Sequence, residues 1–310
     1  MRELTLDDQQ IFNQYLASSH RHWQFQPEFI TIPSAYSFTA HYIWRDFYDF
    51  FWMTQNDFFC LFARQDGDYF MPIAPFGSRP LEPEIIEWVF RLMENQSQRT
   101  NILRVENIID VPSRLTGFQI FEAETEYVYC RTKLKDLRGN TYKSKRHSIN
   151  QFQANHPAAE VSLFQSSDVI DCLALYKEWA LNRKKSRAAV KDELVRSMLD
   201  DSLCAHRQGL LAADQLGLLG LVVRIDGRLC AYTLGYTLSP STFCVLFEVT
   251  DLDYKGLAQF VFHQLCVQRH EKWINVMGDS GLSHLRLVKK SYSINFLFKS
   301  SDLNDLNLLS

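Results

Sequence analysis

The tightest constraint in this sequence is a turn. Asp226-Gly227 separates two apolar runs, Leu218–Ile225 and Leu229–Tyr236. Asp and Gly both tolerate positive φ, which a two-residue type I′ turn demands, so the segment predicts an antiparallel hairpin. A third run, Thr242–Val249, is apolar on both faces and reads as a central strand. A short loop then reaches Gly256 and a helix to about Glu271, followed by a strand over Trp273–Met277, a helix over Ser280–Lys290 and a last strand over Ile294–Phe298. Upstream, Cys172, Leu175, Tyr176 and Trp179 share one helix face, and a second helix is predicted over Asp192–Gln208.

The first half is less regular. A helix is expected over Leu6–Ala17 and another over Leu81–Met93, where Ile85, Ile86, Val89, Leu92 and Met93 recur at helical spacing. The runs Phe58–Ala63 and Tyr69–Ile73 flank Gln65-Asp66-Gly67-Asp68 and read as a hairpin. The aromatics between Tyr36 and Trp52 read as core rather than a ligand cage. Tyr127–Thr132 reads as a strand. The cations Arg131, Lys133, Lys135, Arg138, Lys143, Lys145 and Arg146 follow, facing only Asp136. The chain has 310 residues, enough for two domains of about 150 each. The division is placed after this basic stretch, giving halves 1–150 and 151–310.

Composition narrows the class. At 46% hydrophobic and 14% aromatic residues, the chain can fill large cores and is not a disordered polymer. A net charge of -3 excludes a generally basic nucleic-acid surface, so any such contact must be local. The seven cysteines form no CxxC pair and lie mostly in apolar runs, so they read as reduced, buried thiols, and no metal is expected. No charged-then-apolar leader opens the chain and no run approaches the roughly 18 apolar residues of a membrane span, so a cytoplasmic protein is expected.

Three places could carry chemistry. In Asp253-Tyr254-Lys255-Gly256-Leu257-Ala258, a buried strand passes into a helix. Amides at a helix start, with the positive end of its dipole, can hold a pyrophosphate, and Gly and Ala permit close approach. Lys255, Gly256, Leu257 and Ala258 are therefore the cofactor-binding candidates, with coenzyme A or an acyl-CoA as the group held. Asp253 stands where a cation would be expected. Glu248 lies among apolar neighbours, and a carboxylate there either pairs with a cation or acts as a general base. Arg286, Lys289 and Lys290 share a helix face that is either solvated or an anion clamp.

The element order resembles GNAT (acyl-CoA N-acyltransferase) folds. That implies an opening between the third strand and the Trp273–Met277 strand, where a thioester or ester carbonyl would lie. A closer resemblance is to the C-terminal domain of phosphatidylglycerol lysyltransferase and its soluble relatives. It is carried by Gly139-Asn140-Thr141-Tyr142-Lys143-Ser144-Lys145-Arg146-His147-Ser148-Ile149-Asn150-Gln151-Phe152, by Phe243–Glu248, and by Ile274-Asn275 with Asp279-Ser280-Gly281-Leu282-Ser283-His284-Leu285-Arg286 and Lys289-Lys290-Ser291-Tyr292. In the first half, Ser37-Phe38-Thr39, Ile43-Trp44-Arg45 and Tyr127-Val128-Tyr129 carry it. Val249 departs from the lysine frequent in relatives, and Met277-Gly278 from their acidic residues.

The resemblance implies an α+β fold of two GNAT-like units in tandem, mixed sheets flanked by helices, the first degenerate. It makes Glu248 and Tyr292 the catalytic candidates, and Lys145, Arg146, Asn150, Asn275, Asp279, Arg286 and Lys289 the substrate-binding ones. The expected function is acyl or aminoacyl transfer from a coenzyme A thioester or an aminoacyl-tRNA to an amine or hydroxyl, with peripheral contact to anionic lipid headgroups as an open partner. The alternative is a non-catalytic module binding an anionic headgroup, RNA or nucleotide on the same fold.

Overall fold

The computed structural model describes residues 1–19, 23, 32–99, 103–185 and 193–305, with only the backbone for 193–195. The chain forms two compact units. One holds Met1–Thr125 and the C-terminal segment from Phe298, and the other holds Glu126–Leu297. The division expected after residue 150 falls inside a helix of the second unit.

In the first unit the chain runs through β1 (Arg2–Glu3), α1 (Gln9–Ser19), α2 (Phe38–Tyr42), β2 (Asp49–Gln55), β3 (Phe58–Gln65), β4 (Asp68–Phe70), β5 (Phe76–Gly77), α3 (Pro83–Gln96), β6 (Arg104–Ile108) and β7 (Phe118–Glu122). The expected hairpin is β3–β4: Gln65 pairs with Asp68, and Asp66 and Gly67 have φ of 52° and 88°. Strand β3 is buried on both faces. Phe58, Cys60 and Phe62 meet Ile86, Val89 and Phe90 of α3, while the Phe59 ring lies 5.3 Å from that of Phe12 on α1. Tyr36, Phe38, Tyr42, Phe50 and Trp52 are all buried, so this aromatic run is core. The strand ladders here are antiparallel, and the parallel contact among the described residues is the Met71–Val105 bridge.

The second unit runs β8 (Glu126–Cys130), α4 (Arg131–Asp136), α5 (Lys143–Asn155), β9 (Glu160–Leu163), α6 (Val169–Lys184), α7 (Glu193–Leu211), β10 (Leu219–Ile225), β11 (Arg228–Ser239), β12 (Thr242–Thr250), α8 (Leu257–Gln268), β13 (Trp273–Asn275), α9 (Ser283–Lys290) and β14 (Phe296–Phe298). The expected helix start at Asp192 lies outside the described residues. Seven strands form one sheet in the order β14-β8-β13-β12-β11-β10-β9. It is mixed: β12 and β13 run parallel, while β9 to β12 and the β13–β8 pair are antiparallel. The Asp226-Gly227 turn has φ of 51° and 79°, as the hairpin required.

Helix α8 packs on one sheet face with α4 and α5. Leu134, Leu137, Ile149 and Phe152 join Phe260, Val261 and Leu265 there in one buried cluster. Fully burying such a Leu or Phe contributes about 1.5–3 kcal/mol. That is why the basic stretch, expected to mark a boundary, is two docked helices. On the opposite face the His206 ring of α7 stacks 4.0 Å from Phe247. The last strand, β15 (Ser301–Asp305), returns to the first unit between β6 and β7.

Candidate functional site

The site is built around a parting of strands. Strands β12 and β13 pair only over Thr242–Cys244 and Trp273–Asn275. Two features separate them beyond that point. On β12 the register against β11 passes from Gly235↔Val245 to Leu234↔Phe247, so Leu246 is an extra, bulged residue. Such a bulge bends its strand and re-aims the side chains beyond it. On the other limb the chain follows β8 instead: Val276 N–H donates to Tyr127 O at 3.0 Å, and Tyr127 N–H donates to Met277 O at 3.1 Å. The far limb of β12 therefore lacks a strand partner on its β13 side among the described residues.

Glu248 lies on that limb, opposite Thr233 of β11 and on the sheet face that carries α8. No ion pair or hydrogen bond reaches its carboxylate among the described residues. The side chain is exposed to water, although protein packs around its carboxyl. Enclosure pushes the carboxyl up to about 7, while the Lys289 charge pulls it down. The hydration that the exposed side chain keeps offsets part of this rise. A carboxylate poised there can accept a proton near neutral pH.

The Lys289 ammonium is held by the carbonyl oxygens of Val276, at 2.5 Å, and of Met277 and Gly278. It therefore braces the diverging limb. Asn275 is fully buried, with its Nδ2 donating to Glu126 Oε2 at 2.6 Å and its Oδ1 accepting the Met277 N–H at 2.8 Å. Asp279 accepts from Arg286 Nε at 2.9 Å and Nη2 at 3.2 Å, and from the Tyr127 hydroxyl at 2.5 Å. Arg286, with Tyr127 helping, holds the Asp279 carboxyl down at about 2.

The Tyr292 ring lies 5.3 Å from Phe262 of α8, and the Lys145 ammonium sits 4.0 Å over it. Burial raises the Tyr292 hydroxyl far above its usual range, so it stays protonated, and burial lowers the Lys145 ammonium. Arg146 donates to the Leu137 and Gly139 carbonyls, and so closes the loop after α4. Asn150 is exposed.

At the start of α8, Gly256 has φ of 88°, and a Cβ there would meet Ser148 O of α5 at 2.4 Å. The glycine is thus required by the approach of α5. The Leu257 amide donates to Tyr254 O at 3.2 Å, while Lys255 and Asp253 are exposed.

Residues 30–293 match the family described as phosphatidylglycerol lysyltransferase, C-terminal. The chain belongs to this family. Three solved structures share the fold. A conserved protein of unknown function from Bacteroides thetaiotaomicron is 20% identical, with 97% of this chain and 98% of that one covered and a TM-score of 0.78. L-PGS from Bacillus licheniformis is 14% identical, with 87% of each chain covered and a TM-score of 0.59. A tandem GNAT protein from the clavulanic acid biosynthesis pathway is 11% identical, with 98% of each chain covered and a TM-score of 0.50. No curated protein matches the chain. The fold is thus two GNAT-like units in tandem, as in that last protein.

In this member of the lysyltransferase C-terminal family, polar side chains of the closing motif are engaged within the protein. Asp279 and Arg286 hold each other, Asn275 bonds Glu126 and the Met277 N–H, Lys289 braces the Val276–Gly278 carbonyls, and Glu248, Lys289 and Tyr292 are brought near one another. Sequence reasoning missed Thr233, Glu126 and Tyr127. The alternation of β11 set Thr233 on the α8 face, but its partner strand was needed to place it beside Glu248. Among the described residues no helix is long and apolar enough to cross a membrane, and no group of three or more His, Cys, Asp or Glu could hold a metal.

Proposed function

We propose that the chain transfers an acyl or aminoacyl group from a thioester or ester donor to an amine, with Glu248 as general base. The donor would be a coenzyme A thioester or an aminoacyl-tRNA, and a hydroxyl acceptor would follow the same path. The observation that carries this reading is the exposed Glu248 carboxylate, without an ion pair or hydrogen bond among the described residues, on the limb of β12 that has no strand on its β13 side there. The carbonyl would lie between the parted strands, where a β12 backbone N–H polarises it. The acceptor nitrogen attacks the carbonyl carbon, a C–N bond forms, and the C–S or C–O bond breaks. The amine proton passes to Glu248, and the leaving thiolate or alkoxide takes up a proton. No covalent intermediate on the protein is required.

Tyr292 stands beside this carboxylate as a neutral phenol and would donate a hydrogen bond that orients the acceptor or steadies the leaving group. Lys255 and the Gly256 and Ala258 amides would hold donor phosphates, with Lys145 and Asn150 reserved for the acceptor. The test is turnover of acetyl-CoA and of aminoacyl-tRNA with amine acceptors by the purified protein, and its loss in Glu248→Gln. One observation favours a non-catalytic anion-binding module instead: the exposed Asp253 at the start of α8, where it would repel a pyrophosphate. Binding of coenzyme A or RNA with no turnover of any donor would select that reading.

A further inference from the structure

Thr233 is fully buried, and its Oγ1 has no hydrogen-bond partner among the described residues. A buried hydroxyl left unpaired costs about 1–3 kcal/mol, and folded proteins seldom tolerate one without a reason. Thr233 lies in the middle of β11, with Leu221 of β10 across on one side and Glu248 of β12 on the other. The polar group opposite it is thus the Glu248 carboxylate, exposed and without an ion pair or hydrogen bond among the described residues. Cross-strand neighbours have Cβ atoms about 4.5–5.5 Å apart, which puts the Thr233 hydroxyl within a side-chain length of the Glu248 carboxylate, and a water between them would answer both groups. The other ionisable groups facing Glu248 are Lys289 on α9, Cys266 on α8 and Tyr292 just beyond α9.

We propose that Thr233 is the positioning residue for Glu248: its hydroxyl and the carboxylate share one bound water that aims the carboxylate along the open limb of β12. This rests on the reading of Glu248 as the base. In that role the water passes a proton to Glu248 as it takes one from the incoming amine. The net transfer is one proton from nitrogen to carboxylate, and the Thr233 O–H bond is unchanged. The hydroxyl also explains why a threonine, rather than valine, occupies the centre of an apolar strand face.

The experiment is carboxyl carbon NMR of the full chain labelled at glutamate, with no ligand added. Glu248→Gln assigns the Glu248 signal. Thr233→Val keeps the shape of the side chain and removes the hydroxyl, while Thr233→Ser keeps the hydroxyl. Hydrogen bonding favours the charged carboxylate, so Thr233→Val should raise the Glu248 midpoint by about one pH unit, a tenfold gain in proton affinity. Thr233→Ser should restore it. An unchanged midpoint in Thr233→Val overturns the proposal, as does a shift that Thr233→Ser fails to reverse, since that would reflect packing alone. Because the titration needs no substrate, it decides Thr233 even if Glu248→Gln keeps full turnover and the transferase reading fails.

Discussion

Asp279 and Arg286 are clasped by two hydrogen bonds, at 2.9 and 3.2 Å, across the loop that leads into α9. The Tyr127 hydroxyl donates a third, so one carboxylate ties β8 to the helix beyond β13. Arg286 holds this carboxyl at about 2, below the ordinary carboxylate value of about 3.9. A depressed folded value means that the stabilisation is complete above about pH 4 and is lost as pH falls toward 2. Asp279→Asn should therefore lower the melting temperature at pH 7 by a few degrees, at about 2–4 °C per kcal/mol for domains of this size. The gap to the wild-type protein should close as pH falls toward 2. Thermal unfolding of both proteins from pH 7 to pH 2 checks this, and a gap that persists at pH 2 would contradict it.

Gly256 makes a different prediction than a phosphate loop alone would. Its φ of 88° and the Ser148 oxygen 2.4 Å from a built Cβ both oppose any side chain. Gly256→Ala should cost about 1–3 kcal/mol through backbone strain before any ligand is considered. Denaturant unfolding of the free protein measures it. Unchanged stability would mean that α5 yields easily and that the glycine serves a ligand instead.

The basic stretch divides into bracing and exposed cations. Arg146 bonds the Leu137 and Gly139 carbonyls, whereas Lys143 is exposed at the start of α5. Arg146→Ala should lower the melting temperature, and Lys143→Ala should leave it unchanged. If the stretch binds single-stranded RNA, the log–log salt slope of binding should fall by roughly 0.7 on removing Lys143. Equal melting losses in both variants would contradict this division.

Local rules made much of the second unit readable. Asp226-Gly227 and Asp66-Gly67 form tight turns at positive φ, and the doubly apolar Thr242–Thr250 is central in its sheet. What escaped was long-range. Strand β8 could be recognised as a strand, but nothing near Tyr127 indicates that it pairs with β13 nearly 150 residues later. β15 returns to the first unit because Leu303 completes the core under α3, a fact invisible at residue 303. In the site, Glu248 stood out as a carboxylate in an apolar run. No cation pairs with it among the described residues: Arg286 is taken by Asp279, and Lys289, held by three carbonyls, acts on it through its charge alone. Thr233 drew no notice, since a threonine in a strand is ordinary until its hydroxyl is found unpaired.

The central claim is that Glu248 is a base facing an open limb rather than half of an ion pair. Glu248→Gln preserves shape and removes the ionisable group, so melting temperature and donor turnover measured side by side test it most directly. The account predicts a melting temperature within a few degrees of wild type and a turnover reduced by about 10²–10⁴-fold. It also predicts wild-type turnover rising with pH as the base loses its proton, with a midpoint above the ordinary carboxylate range. A variant that folds and keeps full turnover would contradict the claim.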